Sequence, residues 1–295
     1  MKTAWVFPGQ GSQAIAMDAD LASTEQGKAK LAQAQEILGW SISEICNGEL
    51  EQLSETQYTQ PCLYVVGCIL ADLLAAQGQQ PDLVAGHSLG EYVALYAAGV
   101  FAFEAGLKLV QQRAQLMAQA SEGMMAALMG FDREQLLAAL AQQPGAVLAN
   151  DNNPGQAVIS GEPEAVMAVM AAVKSKKAVP LKVSGAFHSP LMAGAAGQYQ
   201  AVLEGIEFGE AQVPVLSNVE PEPSTDGAML KARLSQQMTG SVRWRETSLK
   251  FAELDVEQVI EVGPGKVLTG LIKRTCKDLK LVNLDSAEAI ATLAA

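Results

Sequence analysis

The pentapeptide Gly86-His87-Ser88-Leu89-Gly90 constrains this chain more than any other segment, because of what flanks it. Leu83-Val84-Ala85 is a short apolar run that reads as a buried strand, and Glu91 to Val100 is Ala-rich with helical spacing. A serine at a strand-to-helix turn sits on a sharp bend whose neighbouring glycines relieve crowding, so its Oγ points outward. The N–H groups that follow open a helix N-terminus, where developing negative charge is stabilised. Such a serine is suited to attack a carbonyl. The five residues alone are equally compatible with an ordinary glycine-rich turn.

A serine nucleophile needs a base, and the chain has only two histidines, His87 and His188. His87 adjoins the serine, so its side chain is expected to project away from it. That leaves His188, in Gly185-Ala186-Phe187-His188-Ser189-Pro190, as the candidate general base. No third, acidic member stands out among 32 acidic residues.

Composition bounds the class. Hydrophobic residues make up 49% of the 295 residues and aromatics only 5%, as in a helix-rich globular protein large enough for one big domain or a big domain with a small insertion. The longest unbroken apolar run, Leu63 to Ala71, is too short to span a bilayer, and Met1 to Pro8 goes straight into a strand pattern without a leader's apolar region. Cys46, Cys62, Cys68 and Cys276 lack metal-site spacing and read as free thiols of a reducing cytoplasm or an equivalent stroma. A net charge of −12 argues against nucleic acid or an anionic membrane as partner.

Along the chain, Thr3 to Phe7 reads as a first strand and helical patterns fill the segment to about Gly78. The Ser88 turn and a long helix over Glu104 to Ala120 come next. Strands separated by helices indicate a parallel sheet covered on both faces. From Met124 the rhythm changes: strand Met124–Met129, helix Asp132–Gln142, strands Ala146–Asn150 and Gln156–Ser160, helix Glu162–Lys174, strand Ala178–Val183. That β-α-β-β-α-β order matches a ferredoxin-like unit. Further strands are expected at Val213–Asn218, Glu257–Val262 and Leu279–Leu284. The expected architecture is an α/β hydrolase-like domain, 1–122 and 190–295, interrupted by a ferredoxin-like domain, 123–189, with Ser88 and His188 meeting in the cleft between them.

Arg113 lies inside the apolar stripe Leu109, Leu116, Met117 of the 104–120 helix. A guanidinium buried there needs an anionic partner to offset its desolvation. It could pair with a structural Asp or Glu, or clamp a substrate carboxylate, which its planar fork matches bidentately.

Phe7-Pro8-Gly9-Gln10-Gly11-Ser12-Gln13, the Ser88 pentapeptide, Arg113, Gly185-Ala186-Phe187-His188-Ser189 and Glu261-Val262-Gly263-Pro264-Gly265 occur in one order. With these five motifs the chain, from Trp5 to about Leu284, strongly resembles malonyl-CoA:acyl carrier protein transacylases. The resemblance implies Ser88 as nucleophile, His188 as base and Arg113 as the partner of the malonyl carboxylate. It implies oxyanion-hole amides at Gln10 and Leu89, and a histidine-orienting backbone carbonyl at Gln237. Asn152 matches an asparagine near the catalytic histidine. Phe187 and Met117 are the candidate specificity residues, a bulky ring at 187 leaving little room for an α-methyl group.

The resemblance further implies a ping-pong transfer through a malonyl-serine, with malonyl-CoA as substrate and acyl carrier protein as partner, no metal or bound organic cofactor, and a monomer. Alternatives of the same chemistry are the transferase subunit of a malonate decarboxylase, a discrete polyketide acyltransferase, and a serine thioesterase. Because carrier proteins are typically acidic, the cations near the cleft are candidate docking residues: Lys174, Lys176, Lys177, Lys182, Arg243, Arg245, Lys266, Lys273 and Arg274.

Overall fold

Strand β1 (Thr3–Phe7) alternates its side chains between two separate cores. Ala4 and Val6 pack on one side with Trp244, Phe251 and Leu268, whereas Trp5 and Phe7 pack on the other with the long helix of the N-terminal half. The computed structural model of the protein describes residues 1–120 and 122–293. After β1 come α1 (Glu25–Leu38), α2 (Ile42–Cys46), α3 (Leu50–Leu53), α4 (Thr56–Ala76), β2 (Leu83–Gly86), α5 (Gly90–Ala97) and α6 (Phe103–Gln119). The insertion holds β3 (Met124–Phe131), α7 (Arg133–Ala141), β4 (Ala146–Asn153), β5 (Gln156–Gly161), α8 (Pro163–Ala172) and β6 (Ser175–Pro180). The chain then returns through α9 (Ala193–Glu204), β7 (Val215–Leu216), α10 (Gly227–Gln237), α11 (Trp244–Glu253), β8 (Gln258–Val262), α12 (Val267–Thr275), β9 (Lys280–Leu284) and α13 (Ala287–Leu293).

The five-stranded sheet has the order β7-β2-β1-β8-β9 and every pairing in it is parallel. A parallel sheet must be covered on both faces, and α4, with α5 and α6 beside it, fills one of them. By length and composition α4 could cross a membrane, yet 78% of its apolar window is buried inside the protein. It is apolar on every side because it is surrounded by protein. On the far side of β1, the buried carboxylate of Glu261 accepts from the Leu268 and Thr269 amides at 2.9 and 2.8 Å. It thereby caps α12, which gives the Glu261-to-Gly265 motif a structural task.

The insertion is a four-stranded antiparallel sheet, order β4-β5-β3-β6, backed by α7 and α8 over its own core of Ala126, Leu128, Leu136, Ile159, Val166 and Val169. Its strand order and βαββαβ sequence are those of a ferredoxin-like unit. Strands β3 and β4 run on to Phe131 and Asn153, past the expected Met129 and Asn150, and two further strands differ for identifiable reasons. Strand β6 begins at Ser175, not Ala178, because an edge strand tolerates the exposed Lys176 and Lys177, whose charges read as non-strand. Strand β7 shrinks to Val215–Leu216, because Asn218 leaves the ladder to bond the serine turn.

One buried carboxylate joins the two sheets. Asp151 on β4 accepts from Arg133 Nη1 and Nη2 of α7 at 2.8 and 2.7 Å, and from Arg245 Nε of α11 at 3.0 Å. Alongside, Val242 N donates to Ala149 O at 2.8 Å and Asp151 N to Val242 O at 2.9 Å. Asp151→Ala would leave two guanidiniums without their anion. Because both are partly solvated, the expected loss of stability is about 2 kcal/mol rather than the full buried-pair value. A urea titration checks this, and a shift below about 0.5 kcal/mol would show that the junction does not depend on the carboxylate.

Candidate active site

The site begins where β1 and β2 end side by side. The Ser88 turn and the Phe7-Pro8-Gly9 segment cross so closely that side chains are excluded. A Cβ on Gly90 would lie 2.0 Å from Phe7 O, one on Gly9 2.3 Å from His87 O, and one on Gly86 1.9 Å from the Gly90 carbonyl. Ser88 itself is driven to φ 52°, a left-handed conformation that costs a non-glycine residue on the order of 1–3 kcal/mol. The turn is held by His87 N donating to Phe7 O at 3.0 Å and by the Asn218 side chain. Asn218 Oδ1 accepts from Ser88 N at 2.6 Å and its Nδ2 donates to Gly86 O at 2.5 Å.

His188 reaches this turn from beyond the insertion. It too has a positive φ, 58°, and is buried. Its Nε2 lies 2.8 Å from Ser88 Oγ, while Nδ1 lies 2.9 Å from Gln237 O and 3.2 Å from Gly240 O. Carbonyls only accept, so Nδ1 carries the proton and Nε2 presents its lone pair to the serine hydroxyl. Burial, and then the nearby Arg113 charge, push the His188 pKa down to about 3.

Arg113 is the second-largest fully buried side chain among the described residues. Its Nη1 donates to Gln60 Oε1 at 2.6 Å, and its Nη2 to Gln237 Oε1 at 2.9 Å and to Ser88 Oγ at 3.1 Å. The guanidinium lies 5.4 Å from the Tyr92 ring centre. Among the described residues no carboxylate makes an ion pair with it, and its Nε has no acceptor. The cation therefore rests on neutral amides beside the serine.

The structure brings Ser88, His188, Arg113 and Gln237 together. Gln10 and Leu89 border the serine turn, and among the described residues neither backbone amide has an acceptor. Met117 is buried and its Sδ lies 3.5 Å from Gln60 Nε2, next to the arginine's cradle, and Phe187 is buried directly before His188. Asn152 is a correction. Its Oδ1 lies 2.9 Å from Nε2 of His87, not on His188, because the β4–Val242 junction carries that strand to the outer side of the turn. His87 does point away from Ser88, with its ring edge against Trp244.

Sequence reasoning missed Gln60, Glu91 and Asn218. Gln60 has a signal, an amide set directly against the apolar run that begins at Pro61 of α4, whereas Asn218 has none. A cleft of about 650 Å³ opens beside Gln10, walled by Thr56, Gln115, Gln119, Lys182 and Ser184. Of the candidate docking cations, Lys182 lines this cleft, whereas Arg243 and Arg245 are paired with Glu246 and Asp151.

A strained serine at a strand-to-helix turn, a neutral buried histidine and unpaired amides on an α/β scaffold form the geometry of serine-dependent acyl transfer. The chain belongs to the acyl transferase domain family, whose model matches residues 4–294. It is 59% identical to the malonyl CoA-acyl carrier protein transacylase of Synechocystis, covering 99% of this chain and 100% of that one. The crystal structure of the Synechocystis enzyme superposes with a TM-score of 0.97. A type II polyketide synthase acyl-carrier protein in complex with its malonyl-transacylase matches at 38% identity and TM-score 0.93, covering 99% of this chain and 98% of that one. A polyketide-biosynthesis malonyl CoA-acyl carrier protein transacylase of Bacillus subtilis is 42% identical, covering 93% and 97% of the two chains.

The depressed His188 value sets a pH window. Above the ordinary value of 6.5 the imidazole is neutral in both folded and unfolded chains. As pH falls from 6.5 toward about 3, the unfolded chain takes the proton and the folded one does not, so stability is lost across that window. The cost is about 1.4 kcal/mol per pH unit. Denaturant titrations should show a shallower acid loss in His188→Gln than in wild type. Equal slopes would mean that His188 titrates normally.

Proposed function

We propose that the protein transfers the malonyl group of malonyl-CoA to the phosphopantetheine thiol of an acyl carrier protein through a malonyl ester on Ser88, in the cytoplasm, for fatty acid synthesis. The observation that carries this reading is Arg113: a buried cation with only neutral acceptors, one of its N–H groups on the nucleophile's own Oγ. An acyl group with a free carboxylate supplies the missing charge, and a neutral acyl group leaves the arginine unpaired. The 59% identity to the Synechocystis transacylase supports the same substrate pair.

His188 Nε2 takes the Ser88 proton as Oγ attacks the thioester carbonyl. The imidazolium that forms is steadied by the Gln237 and Gly240 carbonyls on Nδ1. The Gln10 and Leu89 amides receive the oxyanion, a contribution of about 3–4 kcal/mol per donor in such sites. The proton returns to the departing coenzyme A thiolate. In the second half the carrier thiol gives its proton to His188, attacks malonyl-Ser88, and regenerates the serine. The Gln10 cleft suits the pantetheine arm, and Lys182 on its wall suits an acidic carrier. Phe187 and Met117 restrict the space around the acyl α-carbon.

Brief exposure to malonyl-CoA should add one malonyl group to the Ser88 peptide, seen by mass spectrometry, and Ser88→Ala should remain folded and unlabelled. Malonyl-CoA consumed equally with and without carrier protein would indicate a thioesterase instead. Arg113→Ala should lose malonyl transfer by about 3–5 kcal/mol, the scale of a broken buried pair, while acetyl transfer falls far less. The ratio of kcat/KM for malonyl-CoA over acetyl-CoA is the measurement. An unchanged ratio in a folded variant would sink the dicarboxylate reading.

A further inference from the structure

Glu91 is fully buried on the first turn of α5, three residues after Ser88, and no step of the acyl transfer uses it. Its Oε2 accepts from Gln237 Nε2 at 2.7 Å and from Asn218 N at 3.2 Å, while its Oε1 has no hydrogen-bond partner. Each of these two donors belongs to a residue that holds part of the reactive group. Asn218 receives the Ser88 amide and donates to Gly86 O. Gln237 offers its carbonyl to His188 Nδ1, its Oε1 to Arg113, and its Nε2 to Ser88 O at 2.9 Å as well as to Glu91.

We infer that Glu91 is the positioning residue of this site: its Oε2 fixes Asn218 and Gln237 together, and through them sets Ser88, His188 and Arg113 at reacting distance. The chemistry of the donors dictates the arrangement. Arg113 can only donate, so the Gln237 amide must turn its oxygen toward it. The amide nitrogen then faces Glu91 and Ser88 O, both acceptors. A carboxylate oxygen accepts two N–H groups at once, and its charge balances Arg113 across one amide without touching it. Burial alone raises the Glu91 pKa, while Gln237, Asn218 and Arg113 act to keep it ionised. An apolar residue would fill the same volume but release both arms.

The inference rests on the acyl-transfer reading, and its test separates the two. Wild type, Glu91→Leu, Asn218→Ala and the double variant are compared in two reactions: malonylation of Ser88 by malonyl-CoA, and labelling of Ser88 by a neutral fluorophosphonate. The second needs a working Ser88–His188 pair but no carboxylate site. In Glu91→Leu, kcat for malonyl transfer should fall about 100-fold, the scale of an ångström-sized misplacement, with KM changed by less than about threefold. Fluorophosphonate labelling should slow by a similar factor. The double variant should be little worse than the slower single variant, because both substitutions cut the same arm. Near-wild-type fluorophosphonate labelling in folded Glu91→Leu, or losses that multiply, overturns the inference. If Glu91→Leu does not fold, unaltered labelling in Asn218→Ala overturns it. Failure of wild type to take malonyl from malonyl-CoA sinks the functional reading instead, and the fluorophosphonate comparison still decides the role of Glu91.

Discussion

The reactive geometry depends on one backbone crossing. The end of β1 passes the Ser88 turn at a separation that no Cβ survives, so glycines at 9 and 90 are a steric requirement, and Gly86 is required within the turn by the Gly90 carbonyl. Close passage forces Ser88 into the left-handed region, and that conformation lifts its hydroxyl out of the turn. Strain of this kind persists only where the surroundings over-determine it. Here the surroundings are two apolar cores pressing on alternate residues of β1, the Phe7 carbonyl, and both ends of the Asn218 side chain. Sequence motifs far apart thus meet for a common reason: Gly263, at φ 147°, leaves room for Pro8 on the opposite flank of the same strand end.

Electrostatics completes what sterics begins. A buried guanidinium placed directly on a protein carboxylate would gain a pair but would then have to surrender it to bind a charged substrate. Resting Arg113 on two glutamine oxygens avoids that exchange, since neutral acceptors satisfy its N–H groups without neutralising it. The Glu91 charge sits one amide further back, where it balances the site without competing for the ligand. The histidine is treated in the opposite way: burial strips its charge, so its Nε2 faces the Ser88 hydroxyl as a neutral acceptor across the physiological range.

Much of this is legible in the residues, and what is not has identifiable causes. Ser88 and His188 can be read because their types and settings are scarce, one serine between glycines and two histidines in the chain. Arg113 is conspicuous because a charge interrupts an apolar stripe. The sheets follow from alternation of strands and helices, and the insertion declares itself through its βαββαβ rhythm. Edge strand β6 blurs because lysines at an edge look like loop, and β7 because Asn218 leaves its ladder for a tertiary bond. Asn152 is matched to the wrong histidine because the choice between two rings is made by how β4 docks on the Val242 segment, a matter of domain placement absent from local pattern. The pairing of Gln60 and Gln237 side chains with Arg113 is invisible for the same reason, since a glutamine's partner is set by folding rather than by spacing.

The order in which these parts leave the ribosome has a consequence of its own. Ser88 precedes its base by 100 residues, and His188 precedes the carbonyl that orients it by a further 49. The segment carrying Asn218 and Gln237 is made after the whole insertion. A nascent chain that has already folded β1, β2 and α4 therefore carries Ser88 without His188, Asn218 or Gln237 beside it. On the proposed function, a partly synthesised copy therefore lacks the groups needed to consume an activated thioester until the segment beyond the insertion closes over the turn.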